Sequence, residues 1–205
     1  MEQLEHTWDR VLGIRTCGRD DAGADQYHHP YEPTPYCVLE RLAGSGFFGP
    51  GDTLLDYGCG KGRVGFFLAQ QTQARAIGIE YDPRICEAAL RNRETAPTKP
   101  DFILTRAEEY PVPREVNRCY FFNPFSQEIL HKVMARILES WYEAPRDIFL
   151  FFYYPSDEYV SSLMTVEELE FYDEIECTDL FPGDNRERIL IFWLPNYEGE
   201  EIGVF

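Results

Sequence analysis

Two carboxylates and three glycines set the question of chemistry. Leu54-Leu55-Asp56-Tyr57-Gly58-Cys59-Gly60-Lys61-Gly62 is an apolar run that ends in glycines at alternate positions, with an acid just ahead of them. Such a turn bends tightly and lets a ligand approach the backbone with no Cβ intervening. Its G-x-G-x-G spacing differs from the G-x-G-x-x-G that seats a pyrophosphate on a helix N-terminus, and Asp56 would repel a diphosphate there. Glu80, 24 residues after Asp56, closes the next β-prone run, Ile77-Gly78-Ile79-Glu80. A carboxylate in that place can accept hydrogen bonds from both hydroxyls of a ribose. The chemistry is that of holding a nucleoside that carries positive charge. The alternative is that both acids only cap helices and the glycines only turn the chain.

A second constellation follows a later apolar run, at Phe121-Phe122-Asn123-Pro124-Phe125-Ser126. Asn123 supplies an amide oxygen as acceptor, Pro124 is expected to hold Asn123 extended, and Phe125 offers a flat apolar wall. Alternatively, Asn123-Pro124 ends a strand and Ser126 caps the next helix. No side chain stands out as a general base.

These groups need a scaffold that brings strand ends together. Short β-prone runs lie at Thr53–Tyr57, Ala76–Glu80, Phe102–Thr105, Arg118–Phe122 and Asp147–Tyr154. Helical patterns separate most of them: Val64–Gln71, a helix opened by Asp82 as N-cap with Pro83 behind it, and Ser126–Ser140. In the last, Ile129, Val133 and Ile137 form one ridge and Leu130, Met134 and Leu138 the next. Alternation of this kind implies an α/β, doubly wound, Rossmann-like sheet of about seven strands. The end breaks the alternation: Phe171–Cys177 and Arg188–Leu194 read as strands joined through Pro182-Gly183-Asp184-Asn185, an antiparallel hairpin closing a mostly parallel sheet.

The N-terminal part differs. Glu2–Ile14 reads as a short amphipathic helix, Thr16–His29 as a polar, mobile loop, and Tyr31–Tyr36 (YEPTPY) as a proline-stiffened segment. A helix over Cys37–Leu42 then stops at Gly44-Ser45-Gly46. Residues 1–46 are expected to form a helical and lid segment, and 47–205 the ligand-binding domain. YEPTPY, with Tyr27 and Tyr31, is either a lid that excludes water or a rigid surface linker. In Phe151-Phe152-Tyr153-Tyr154-Pro155, alternate residues read as core; Tyr154 is core or lines a pocket.

Composition narrows the partners. The 205 residues carry 36 acidic and 19 basic side chains, a formal net charge of −17, and only three lysines (Lys61, Lys99, Lys132). A basic stripe of the kind that displaces counterions from nucleic acid is missing, which argues against such a partner and for a small molecule or a basic protein segment. Six scattered cysteines, with no paired spacing, read as reduced packing residues, and His28-His29 finds no second cluster to complete a metal site. Met1–Arg10 is charged and no apolar core follows it, unlike a signal peptide, and no run is long enough to span a bilayer; the expected compartment is the cytoplasm.

DYGCGKG followed by GIEYDP resembles the nucleoside-binding half of class I S-adenosylmethionine-dependent methyltransferases, over roughly Asp52–Leu194. The resemblance implies a seven-stranded sheet ending in an antiparallel hairpin and S-adenosylmethionine as cofactor. It places Asp56 near the methionine amino group, Gly58 and Gly60, with Gly62 behind them in the loop, against the cofactor backbone, and Glu80 on the ribose. Family members often carry an acid after the third strand that hydrogen-bonds the adenine amino group. Here Arg106 stands in that place, so Glu108 or the Ala107 backbone takes the role, while Tyr81 and Ile103 pack the adenine faces or belong to the core. Many amino-directed members carry NPPY or DPPY where this chain has Asn123-Pro124-Phe125. The implied activity is methyl transfer to an N or O nucleophile of a small molecule or protein; the alternative is a non-catalytic module that binds the cofactor and recruits a partner.

Overall fold

The computed structural model describes residues 2–20 and 31–197. Its centre is β1 (Thr53–Tyr57), whose five residues, Asp56 among them, are all buried, as a central strand of a parallel sheet is when helices cover both faces. β2 (Arg75–Glu80) and β3 (Asp101–Leu104) extend the sheet on one side, β4 (Arg118–Phe121) and β5 (Ile148–Tyr153) on the other, all parallel. β7 (Arg188–Leu194) then lies antiparallel between β5 and β6 (Glu170–Glu176), giving the order β3-β2-β1-β4-β5-β7-β6. The sequence expectation of a seven-stranded, mostly parallel sheet finished by an antiparallel hairpin is met, with β1 and β7 at the expected bounds.

That order reverses at β1. Successive strands step outward to β2 and β3, and the chain then returns to place β4 on β1's other flank. A crevice opens outside the carboxyl ends of strands at such a switch point. Asp56 near the end of β1, Glu80 at the end of β2 and Asn123 just past β4 therefore converge on it without any special loop.

Seven helices, α1 (Glu2–Leu12), α2 (Tyr36–Ala43), α3 (Arg63–Thr72), α4 (Pro83–Thr95), α5 (Gln127–Glu143) and α6 (Asp157–Leu163) together with a 3-10 turn at Ala107–Glu109, flank the sheet among the described residues. One face packs on α5 and α6, where Phe121 stacks between Tyr57 (4.7 Å) and Phe152 (4.5 Å) over Ile129, Val133 and Ile137. The other face packs Tyr120 and Phe151 among Phe66, Phe67 and the buried side of α2. Asp82 caps α4 by accepting from the Arg84 N–H (2.9 Å), with Pro83 opening the helix as its spacing implied.

Three sequence expectations change. α1 ends at Leu12, where Gly13 turns with φ 66°, and α5 runs past Ser140 to Glu143. α6 is not among the helical patterns singled out above, although Ser156 followed by Asp157-Glu158 is a helix-start signal; Ser156 accepts from the Tyr159 N–H at 3.2 Å. The first part of the supposedly mobile loop is anchored: Thr16 is fully buried, its hydroxyl bonded to Asp9 (2.6 Å). Tyr27, His28 and His29 lie outside the described residues. Among the described residues, no helix is long and apolar enough to cross a membrane, and no group of three His, Cys, Asp or Glu could hold a metal ion.

Candidate active site

The loop after β1 is held by β2. The N–H groups of Gly58 and Cys59 both donate to the Ile79 carbonyl at 3.0 Å, and the Gly60 N–H donates to Glu80 Oε2 at 3.0 Å. Gly58 has φ 69°, and a Cβ there would come within 2.6 Å of Pro124 Cβ, so only glycine lets the β1 and β4 loops meet. Gly60, at φ 57°, lies under the Tyr31 ring, whose hydroxyl donates to the Thr16 carbonyl at 2.5 Å. Gly62 is the N-cap of α3 and faces Phe102 and Phe66.

A cleft opens above these loops. Asp56, Gly58, Glu80, Tyr81, Ala107 and Glu108 line it, and so do Asn123, Pro124 and Phe125. Gly60 and Gly62 are not on its wall; they shape the loop from beneath. Ile103 faces a shallow depression on the other side of β3, and Ile85 of α4 lines the cleft in its stead. Arg106 is exposed and pairs with Glu108 at 3.7 Å. Tyr31, Glu32, Pro33 and Thr34 also line the cleft, and Thr34 shares a hydrogen bond with the Tyr120 hydroxyl at 3.0 Å.

The two carboxylates differ in what they hold. Glu80 accepts from the N–H groups of Tyr81 (2.9 Å) and Asp82 (3.0 Å) as well as Gly60. Burial raises its pKa, and these backbone donors pull it back. Asp56 is buried to 3% exposure and its Oδ2 has no hydrogen-bond partner. Burial, and then the charge of Glu80, push its pKa up to about 8. A buried carboxylate oxygen without a donor is costly unless something positive or N–H-bearing reaches it. The amino group of an S-adenosyl amino acid meets that need, so the residues present fit that cofactor.

At the other end, Asn123 has φ 40° rather than the extended conformation expected before Pro124. Asparagine tolerates the left-handed region better than most residues. Its Nδ2 donates to the Tyr154 carbonyl at 2.7 Å, which fixes the amide's orientation and leaves the buried Oδ1 without a partner. Phe125 is buried edge-on against Phe121, its carbonyl taken by the Tyr159 hydroxyl. Ser126 sits at the N-cap of α5 but makes no side-chain cap.

One functional element was invisible in the sequence. Arg63, 2% exposed, lies on the cleft's floor and pairs with Glu5 of α1. It also donates to Thr16 Oγ1 (2.7 Å) and the Thr34 carbonyl (3.0 Å). Asp9 completes the cluster through the hydroxyls of Thr16 and Tyr36, each at 2.6 Å. This network ties the N-terminal segment to the glycine-loop helix. Its only signal is a lone arginine after the glycines; the partners lie 29 to 58 residues away.

Residues 54–145 match the family model of a methyltransferase domain. The chain is similar to the ribosomal protein L11 methyltransferase of Xylella fastidiosa, with 32% identity over 98 residues, covering 42% of this chain and 32% of that protein. A Burkholderia mallei protein of the same name is 44% identical over 45 residues, covering 22% and 15%. The chain thus spans about a third, or less, of the length of these curated relatives. Among solved structures, the RNA methyltransferase of Salinibacter ruber in complex with S-adenosyl-L-homocysteine shares the fold at TM-score 0.59 and 17% identity, over 80% of this chain and 94% of that one. A TehB-like methyltransferase from Corynebacterium glutamicum does so at TM-score 0.57 and 18% identity, over 95% and 97%.

Proposed function

We propose that this chain is a class I S-adenosylmethionine-dependent methyltransferase and that it methylates an N–H-bearing nucleophile held by Asn123. The observation that carries this reading is the pair of unpartnered buried oxygens, Asp56 Oδ2 and Asn123 Oδ1, on the wall of one cleft. Both accept hydrogen bonds and neither has a donor among the described residues. Asp56 answers the positive amino group of the cofactor's methionine part, Glu80 the ribose hydroxyls, and Gly58 the close approach of the cofactor chain. Glu108, with Ala107 and Tyr81, borders the base.

S-adenosylmethionine, when bound, supplies a methyl group on a positively charged sulfur. What the protein adds is position. Asn123 Oδ1 accepts from the acceptor's N–H and aims its lone pair; Phe125 and Pro124 exclude water from that side. With Asp56, Gly58 and Glu80 holding the cofactor, its sulfonium would supply the methyl group and keep the electron pair of the broken bond, and the acceptor nitrogen would give up its extra proton on the open side of the cleft, away from Phe125 and Pro124. An oxygen nucleophile is the less favoured acceptor, because among the described residues no general base stands out beside Asn123.

The acceptor is a small molecule or a protein. The name of the curated relatives makes a ribosomal protein the first macromolecule to test, and the −17 charge suits a basic one. Incubation with methyl-labelled cofactor and, separately, ribosomal proteins or a metabolite extract should label one fraction. Cofactor binding with no label in any fraction would favour a non-catalytic recruiting module.

A further inference from the structure

Residues just past β4 and β5 stand out because two of them, Asn123 (φ 40°) and Tyr154 (φ 51°), are non-glycine residues in the left-handed region. Such backbone is retained where its surroundings impose it. The two are joined: the Tyr154 carbonyl accepts from Asn123 Nδ2 at 2.7 Å. Tyr154 does not line the cleft; its side chain points to the β6–β7 turn. There its hydroxyl donates to Asp184 Oδ2 at 2.6 Å, and the Arg186 guanidinium lies 4.2 Å over its ring. Asp184 Oδ1 also accepts from the Arg186 N–H at 2.9 Å, and Arg186 Nη2 reaches the Tyr154 carbonyl at 3.4 Å.

We infer that Tyr154 is a positioning residue for methyl transfer: clasped by Asp184 and Arg186, it holds the carbonyl that turns Asn123 Oδ1 toward the acceptor. The inference rests on Asn123 as the acceptor-orienting group. An asparagine amide free to flip would present its NH2 to an N–H acceptor half the time, a donor facing a donor. The Tyr154 carbonyl accepts only from the amide nitrogen, so it selects the productive orientation. The clasp comes from the hairpin that departs from the parallel sheet, so that hairpin helps to build the site as well as to close the sheet. Among the described residues, nothing else bonds Asn123 Nδ2.

Nitrogen-15 NMR of the full chain tests this through the Asn123 side-chain NH2, assigned by its loss in Asn123→Asp. Tyr154→Phe removes only the hydroxyl, and Asp184→Ala only the clasping carboxylate. In both, the two Asn123 amide protons should move toward the shifts of solvent-exposed carboxamides, while S-adenosylhomocysteine binds within about twofold of the wild-type affinity and methyl transfer falls roughly tenfold. Asp184→Glu should restore part of both losses. Unmoved Asn123 signals in both variants overturn the inference, because the amide then needs no clasp. Signals that move with no loss of methyl transfer overturn it too, since orientation would not matter to the reaction. A wild-type protein that binds no S-adenosylhomocysteine would instead count against the cofactor reading, and the NMR signals would still decide the coupling.

Discussion

Asp56 and Glu80 stand near the tips of adjacent parallel strands, yet one has three backbone donors on its carboxylate and the other has an oxygen with none. Burial and the charge of Glu80 hold the Asp56 carboxyl's pKa up to about 8, whereas the loop's own N–H groups pull the Glu80 pKa back against the rise that burial gives it.

That division gives a pH dependence. Asp56 is pushed up to about 8 in the fold, from 3.8 when unperturbed. The folded chain then binds this proton more tightly than the unfolded chain, so its contribution to stability is present at low pH and lost as pH rises from about 4 to 8. A cationic amino group requires the ionised form. Binding of S-adenosylmethionine should release a proton below pH 8, and affinity should rise steeply from pH 6 towards 8, by close to tenfold per unit at the lower end. Calorimetry in buffers of different ionisation heat measures both; an affinity flat across that range would contradict the assignment.

Glu80→Ala should weaken cofactor binding at least tenfold by removing the ribose acceptor, and it should also lower stability. Three N–H groups lose their acceptor, and one or two left buried would cost about 1–3 kcal/mol each, a melting-temperature drop of several degrees. Thermal unfolding with and without S-adenosylhomocysteine separates the effects. Unchanged affinity in a folded variant would remove Glu80 from the site.

Gly58→Ala places a methyl 2.6 Å from Pro124 Cβ at φ 69°. The strain alone should cost about 1–2 kcal/mol, and relief can come only by moving the Asn123-Pro124 turn. Methyl transfer should fall more than cofactor affinity does, read as kcat against Kd. Equal losses in both would mean that the glycine serves the cofactor alone.

Arg63→Ala leaves Asp9 and Glu5 without their cation. Breaking a buried ion pair typically costs about 3–5 kcal/mol, and here the loss should be local. Hydrogen exchange in α1 and around Thr16 should accelerate strongly while β1 and β4 stay protected. Uniform loss of protection would show the N-terminal segment to be one cooperative unit with the sheet.

These expectations also show what could be read from residues alone. The Asp56–Glu80 spacing and the glycines were legible because β-α-β geometry is local and periodic, and the sheet order follows from alternation and handedness. Arg63's partners were not, since charge pairs between α1 and α3 leave no periodic trace. Gly62 reads like Gly58 in the sequence, but faces Phe102 and Phe66 from the N-cap of α3. Asn123, expected to be extended before Pro124, has φ 40°, and the Tyr154 carbonyl that its amide meets lies 31 residues on.

The most direct measurement is equilibrium binding of S-adenosylhomocysteine to the wild-type chain and to Asp56→Ala at pH 8. Saturable binding by the wild type, weakened at least tenfold in the variant, is expected from a carboxylate that meets the ligand's amino group. Wild-type protein with no binding at millimolar ligand, or a variant that binds equally well, would contradict it.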